Sequence, residues 1–312
     1  MTPRPLPPRD KLTLCFAHVA YRMGDRFALR NTGLNWFEVR TLDELKARIA
    51  EADVLAVSGL WRNELIPLAP RLAFVQSISA GTDQYSRQAL AAAGIRLASA
   101  QGANERAVAE HAIALILAMT RQIPQARDNQ AAKKWRGMIG DLSKREEELG
   151  GKTLVIVGMG RIGSRLATLA KAFDMRVVGV GRNDNLLATL PEADFIALTC
   201  PLTPQTENLI DAKALAAMKP SAYLINVARG RVVNEPALVE ALEQKRIAGA
   251  ALDCVWEEPL PPTSKLWEMP NLLITPHSAG ETRRYEENVI DLLLDNLDRL
   301  GRGEMALKNQ VL

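Results

Sequence analysis

The stretch from residue 152 to residue 182 limits what this chain can fold into more than any other. Leu154–Val157 is a short apolar run rich in β-branched residues, the pattern of a buried strand. Gly158, Gly160 and Gly163 follow at the spacing G-x-G-x-x-G, Ser164–Phe173 has helical composition without a breaker, and Arg176–Val180 is a second buried strand. That is a complete βαβ unit in which each glycine has a task. Gly158 makes the tight turn, Gly160 lets backbone approach a pyrophosphate, and Gly163 lets the helix pack close to the strand. The helix N-terminus, where Arg161 and Ile162 lie, then turns free N–H groups and a partial positive charge toward the phosphates. Without the flanking strands and helix, the same glycines would be only a flexible turn.

The far end of this unit speaks to the choice of dinucleotide. A site for NAD carries an acidic residue at the end of the second strand to hold the ribose hydroxyls. Here Gly181-Arg182-Asn183 stands there instead. Arg182 cannot accept from hydroxyls, whereas its planar fork suits a 2′-phosphate. Asp184, two residues further on, is a competing ribose ligand. The residues therefore favour NADP, with NAD as the alternative.

Composition bounds the rest. A chain of 312 residues, 47% of them hydrophobic, suggests two domains with full cores. The net charge of +3 is mild and the basic residues are scattered, which argues against nucleic acid or a membrane surface as partner. Cys15, Cys200 and Cys254 lie far apart, each beside strand-like residues. No metal spacing links them, so we expect buried thiols, no metal site and a cytoplasmic setting. No apolar stretch approaches a membrane span, and the proline-rich start, Met1–Asp10, lacks the apolar core of a secretory signal.

Taken in order, the first hundred residues alternate strands and helices. Strands are expected at Leu12–Ala17, Val54–Val57, Phe74–Ile78 and Ile95–Ala98, with helices at Leu42–Ala50, behind a Thr41/Glu44 capping box, and at Ser86–Ala93. Such alternation implies a parallel sheet, and ligands bind at the loops after its strand C-termini. Ser79–Asp83 is one such loop and a candidate anion-binding turn; it could equally be an ordinary strand-to-helix turn. Asn104–Ile123 is so apolar that we expect one long buried helix crossing between the domains, with His111 as a structural histidine. Gln125–Leu149 is charged, with Trp135 its only aromatic, and reads as an exposed arm suited to a dimer contact. Beyond the glycine unit, strands are expected at Phe195–Thr199, Tyr223–Val227, Ala248–Leu252 and Leu272–Thr275, and a closing helix at Glu281–Leu300.

Three of these strand ends carry chemistry. Arg229, then Glu258 beyond Asp253, then His277 fall on loops at the sheet edge that the glycine loop occupies. A nicotinamide enzyme acting on a carbonyl needs a cation, a proton donor and a group that orients the donor. Arginine, histidine and glutamate can fill these roles. Spacing alone leaves open a surface arginine, a helix-dipole glutamate and a core histidine.

Six motifs go further. They are Ser-Ala-Gly-Thr-Asp at 79–83, Asn-Glu-Arg-Ala-Val-Ala-Glu-His at 104–111 and Gly-Met-Gly-Arg-Ile-Gly at 158–163, followed by Leu-Ile-Asn-Val-Ala-Arg-Gly at 224–230, Ala-Leu-Asp-Cys-Val-Trp-Glu-Glu-Pro-Leu-Pro at 251–261 and Thr-Pro-His-Ser-Ala-Gly at 275–280. With these motifs in this order, the sequence resembles the D-isomer-specific 2-hydroxyacid dehydrogenases, which include glyoxylate/hydroxypyruvate reductases. The resemblance implies Arg229, Glu258 and His277 as the catalytic trio and Asp253 facing the nicotinamide carboxamide. It implies that Ala80 and Gly81, with Arg229, hold the substrate carboxylate. Pro201, Thr206 and Val227 join the glycine loop and Arg182 as expected cofactor contacts. The implied fold is α/β, with two doubly wound parallel-sheet domains. A Rossmann cofactor domain (104–280) is inserted in a discontinuous flavodoxin-like substrate domain (1–103 and 281–312), and the protein is a homodimer. Two features depart from the family pattern: the stretch from Arg182 to Phe195 is short, and Thr199 stands where many members have histidine.

The implied activity is reversible NADP- or NAD-linked reduction of a 2-keto acid, of the glyoxylate or hydroxypyruvate type, to a D-2-hydroxy acid. Relatives that act as corepressors and bind dinucleotide to set their assembly supply the alternative. Turnover of glyoxylate separates the two.

Overall fold

Successive side chains point to opposite faces of a strand, and the central strands are buried at every position, so both sheets have two covered faces. The computed structural model describes residues 3–312. Its first strands are β1 (Thr13–Ala17), β2 (Asn35–Val39), β3 (Val54–Val57), β4 (Phe74–Ser77) and β5 (Arg96–Ala98), all parallel, in the order β2-β1-β3-β4-β5. This is the flavodoxin-like order. Leu14, Phe16, Val54, Ala56 and Phe74 enter one apolar cluster, whereas Cys15, Ala17, Leu55, Val57 and Val75 enter another. The helices of this part are α1 (Met23–Ala28), α2 (Leu42–Arg48) and α3 (Arg87–Ala92). Thr41 and Glu44 form the expected capping box on α2.

The second sheet begins after α4 (Glu105–Thr120) and α5 (Ile123–Ala131). Its elements are β6 (Thr153–Val157), α6 (Arg161–Ala172), β7 (Arg176–Val180), α7 (Leu186–Thr189), β8 (Phe195–Leu198), α8 (Ala212–Ala217), β9 (Tyr223–Asn226), α9 (Glu235–Glu243), β10 (Gly249–Leu252) and β11 (Leu272–Ile274). The strands are parallel in the order β11-β10-β9-β8-β6-β7. The chain reverses direction across the sheet at β6, so the loop after β6 lies at the topological switch point, where open α/β sheets bind ligands. Leu154, Ile156, Phe195, Ala197 and Ile225 pack with α4 and α6, and Val155, Val157, Ile196, Leu198 and Leu224 pack with α8 and α9.

The last helix, α10 (Tyr285–Gly301), buries Val289, Ile290 and Leu293 among the β1 and β3 side chains. The chain thus forms two compact units, Met1–Asn104 with Thr282–Leu312, and Glu105–Glu281.

The structure corrects one element. The single helix expected over Asn104–Ile123 ends at Thr120, Gln122 takes a left-handed backbone at φ +50°, and a new helix starts at Ile123. Pro124 explains the break, because proline has no amide to give inside a helix but is tolerated in a first turn. Part of the expected arm is therefore helical, and α5 buries none of its residues.

Candidate active site

The glycine loop is shaped by contacts that allow no side chain at two positions and leave space at the third. Gly158 has φ +99°, and a Cβ there would lie 2.7 Å from the Cys200 amide nitrogen. A Cβ on Gly163 would collide with the Gly158 carbonyl oxygen, which already accepts from Thr199 Oγ1 at 2.7 Å. A Cβ on Gly160 would meet nothing within 4 Å. Gly160 is the N-cap of α6 and offers no capping side chain to the helix amides. An open hollow over unspent amides fits a pyrophosphate. Thr199 thus closes the turn here, a task its position gave no hint of.

The other expected cofactor contacts surround this loop. Ile162 packs partly into the α4–α6 core, and Arg161 pairs loosely with Glu105 at 3.8 Å. Val227 is buried at the end of β9. The loop after β8 folds on itself through Thr206, whose Oγ1 donates to the Pro201 carbonyl at 2.7 Å and accepts from the Thr203 amide at 2.8 Å. Beyond β7, one oxygen of Asp184 accepts from the Gly181 amide at 2.7 Å, which folds the exposed turn carrying Arg182.

The structure brings Arg229, Glu258 and His277 together at the C-terminal ends of β9, β10 and β11. His277 Nδ1 lies 2.7 Å from Glu258 Oε2, and Glu258 Oε1 accepts from the Val255 amide at 3.1 Å. Hydrogen bonding to the Glu258 carboxylate outweighs burial and holds the His277 imidazole above its ordinary pKa. Burial raises Glu258, but the hydrogen bond and charge of His277, the Val255 amide and the charge of Arg229 together leave it below the usual carboxylate range. Arg229 is near enough that its charge works against the protonated imidazole.

Three buried supports position these groups. Asn226, fully buried at the end of β9, accepts from the Ala228 amide and donates to the Arg229 carbonyl, both at 3.0 Å. Gly230 lies so close under the Val255 carbonyl that a Cβ has no room. Asp253 is 2% exposed; it accepts from Thr275 Oγ1 at 2.6 Å and from the amides of Ser278 and Ala279 at 3.0 and 3.1 Å. It therefore holds the turn in which His277 takes a left-handed backbone at φ +54°. His111 joins this network through Thr275 Oγ1 at 3.0 Å, which suits its expected structural role. Asn226 was the support the sequence could have shown, as a polar residue inside the apolar run Leu224–Val227.

In the other unit, Ala80 and Gly81 follow β4 in an irregular turn. Ser77 Oγ donates to the Ser79 carbonyl at 2.9 Å, Ser79 Oγ meets Ser58 Oγ, and the Tyr285 hydroxyl donates to the Ile78 carbonyl. Among the described residues, the amides of Ala80 and Gly81 donate to no carbonyl.

A six-stranded parallel sheet with a glycine cradle at its switch point defines the Rossmann class of dinucleotide-binding domains. The chain belongs to the D-isomer specific 2-hydroxyacid dehydrogenases: the family's NAD binding domain matches residues 113–279. It is 33% identical to a D-3-phosphoglycerate dehydrogenase of Methanocaldococcus jannaschii over 85% of this chain and 53% of the relative, so it spans about half the length of that relative. It is 34% identical to a glyoxylate reductase of Thermofilum pendens over 86% of this chain and 84% of that one. Among solved structures, an NADPH-dependent glyoxylate/hydroxypyruvate reductase of Sinorhizobium meliloti with NADP and malonate superposes with a TM-score of 0.82. That pair is 26% identical, over 96% of this chain and 97% of the other.

Proposed function

We propose that the protein catalyses reversible NADP-linked reduction of a small 2-keto acid, of the glyoxylate or hydroxypyruvate type, to a D-2-hydroxy acid. The contact of His277 with Glu258 at 2.7 Å, beside Arg229, carries this reading. The dinucleotide, when bound over the glycine cradle, supplies or accepts the hydride. Arg229 would bind the substrate carboxylate and carbonyl oxygen with its fork and polarise the carbonyl. His277, whose charged form Glu258 favours, would give its Nε2 proton to the alkoxide that forms on reduction and take it back on oxidation. The Ala80 and Gly81 amides would hold the carboxylate as a backbone anion nest. Asp253 supports the turn of His277, alongside the carboxamide contact that the resemblance implies.

NADP is favoured over NAD because Arg182 has no hydrogen-bond or ion-pair partner among the described residues, and the S. meliloti reductase is NADPH-dependent. A homodimer fits the arm after α5, where Trp135, Met138 and Leu142 are exposed apolar side chains. The test is turnover of glyoxylate and hydroxypyruvate with NADPH and with NADH. Dinucleotide binding without reduction of any keto acid would refute the proposal and favour a corepressor-like role.

A further inference from the structure

The loop that leaves β1 is fastened far more firmly than a connection requires. His18 Nδ1 accepts from the amides of Ala20 and Tyr21 at 3.1 and 2.8 Å. The carbonyls of the same two residues accept from Arg40 Nη1 at 3.3 and 2.7 Å. Arg40 Nη2 donates to Glu38 Oε2 at 2.8 Å, and Glu38 Oε1 accepts from the Gly24 amide at 3.2 Å. The His18 ring stacks on Tyr21, with centroids 4.0 Å apart and planes at 9°.

This arrangement decides the chemistry of the ring. Two amides aimed at Nδ1 make it an acceptor, so the single proton sits on Nε2. Burial, and then the Arg40 charge, push the imidazole down to about 4, so it stays neutral at ordinary pH. Nε2 has no hydrogen-bond partner among the described residues. The result is a fixed, uncharged N–H donor on the C-terminal edge of the sheet. In the strand order, β3 alone separates β1 from β4, and Ser58 after β3 meets Ser79 before Ala80. His18 and the Ala80–Gly81 turn therefore lie two strand spacings apart, roughly 10 Å. A three-carbon acid with a hydrogen bond at each end can bridge that span.

We propose that His18 is a specificity-determining residue whose Nε2–H donates to an uncharged oxygen on C3 of the keto acid, so that a hydroxymethyl acid is preferred. This rests on the keto-acid reduction proposed above, with the carboxylate at Ala80 and Gly81. Glyoxylate leaves the fixed donor without a partner, which is how hydrogen-bonding sites reject shorter analogues. A phosphate in place of the hydroxyl meets one neutral donor, because Arg40 is committed to two carbonyls and Glu38.

The experiment measures kcat/KM for hydroxypyruvate, glyoxylate and the phosphorylated form of hydroxypyruvate in wild type, His18→Ala and His18→Gln. Wild type should prefer hydroxypyruvate over both others. The hydroxypyruvate-to-glyoxylate ratio should fall about tenfold in His18→Ala. It should return to within about threefold of wild type in His18→Gln, which keeps an uncharged N–H donor. An unchanged ratio in His18→Ala, or a wild type that prefers the phosphorylated acid, removes His18 from this role and leaves the reaction standing. Failure of wild type to reduce any of the three with either dinucleotide overturns the reaction, and this proposal with it.

Discussion

Glu258→Gln isolates the electrostatic part of the acid–base pair. The glutamine keeps a hydrogen-bonding group opposite His277 Nδ1 but removes the charge at 2.7 Å. The wild-type side chains are 45% and 35% exposed, so water screens the pair. A contact of this length is worth about 1.5 kcal/mol in bulk-like dielectric and several times more when shielded from water. With that screening, the low end applies, and one pKa unit corresponds to about 1.4 kcal/mol. We therefore expect the His277 pKa to fall by about one unit. The sign follows from the raised pKa in wild type. Reduction needs the charged imidazole and fades as pH rises through this pKa; oxidation needs the neutral ring and appears over the same interval. Both profiles should move to lower pH in the variant. Near neutrality, reduction should suffer more than oxidation. The assay is kcat/KM against pH in both directions for the two proteins. The acidic plateau of reduction reports whether the variant keeps its site. Profiles that superimpose, or that move to higher pH, would show that Glu258 does not set the charge of His277.

Four further substitutions address the rest of the site. Arg229→Lys should lower kcat/KM by at least about a hundredfold with dinucleotide affinity nearly unchanged, because a point charge cannot replace a planar fork; near-normal turnover would remove Arg229 from the chemistry. Arg182→Ala should weaken NADPH by roughly 1.5–3 kcal/mol and NADH far less, as measured by titration of each dinucleotide; equal losses would reject the 2′-phosphate contact. Gly160→Ala should melt within about 0.5 kcal/mol of wild type yet bind dinucleotide poorly, since its Cβ enters only the open hollow; tight binding in that variant would count against the cradle. Asn226→Ala should cost roughly 1–3 kcal/mol in denaturant unfolding by orphaning the Ala228 amide, while the Arg229 carbonyl keeps the Val232 amide; a neutral result would mean the loop is held by other contacts.

The glycine unit and the buried strands were legible because both signals are local: an apolar run, a fixed glycine spacing and a helical stretch. The parallel, doubly wound character of each sheet then followed from alternation and the resemblance. Strand β2 was missed because it lies at the sheet edge and leaves Asn35 and Trp36 exposed, so its apolar signal is weak. Helix α1 is six residues long with Gly24 inside, too short for a period to register. Arg229, Glu258 and His277 could be picked out as polar residues at strand ends, but not their contact, since the first and the last stand 48 positions apart in the chain. His18 was invisible for a different reason. Its ring accepts from two local amides, but Arg40, which fastens that turn and lowers the ring's pKa, meets it only when β1 and β2 pair, and no spacing encodes that meeting.

Gly230 has one more consequence. Its α-carbon rests against the Val255 carbonyl, and the Val255 amide anchors Glu258, which in turn holds His277. Arg229 and His277, the cation and the proton carrier of the proposed reaction, are therefore linked through a single backbone segment, as two arms on one bracket. A substitution that tilts residues 255–256 would displace both by related amounts and preserve their mutual alignment better than their aim at the substrate. Drift in this part of the chain should thus appear as a change in which acid is accepted before it appears as a loss of proton transfer.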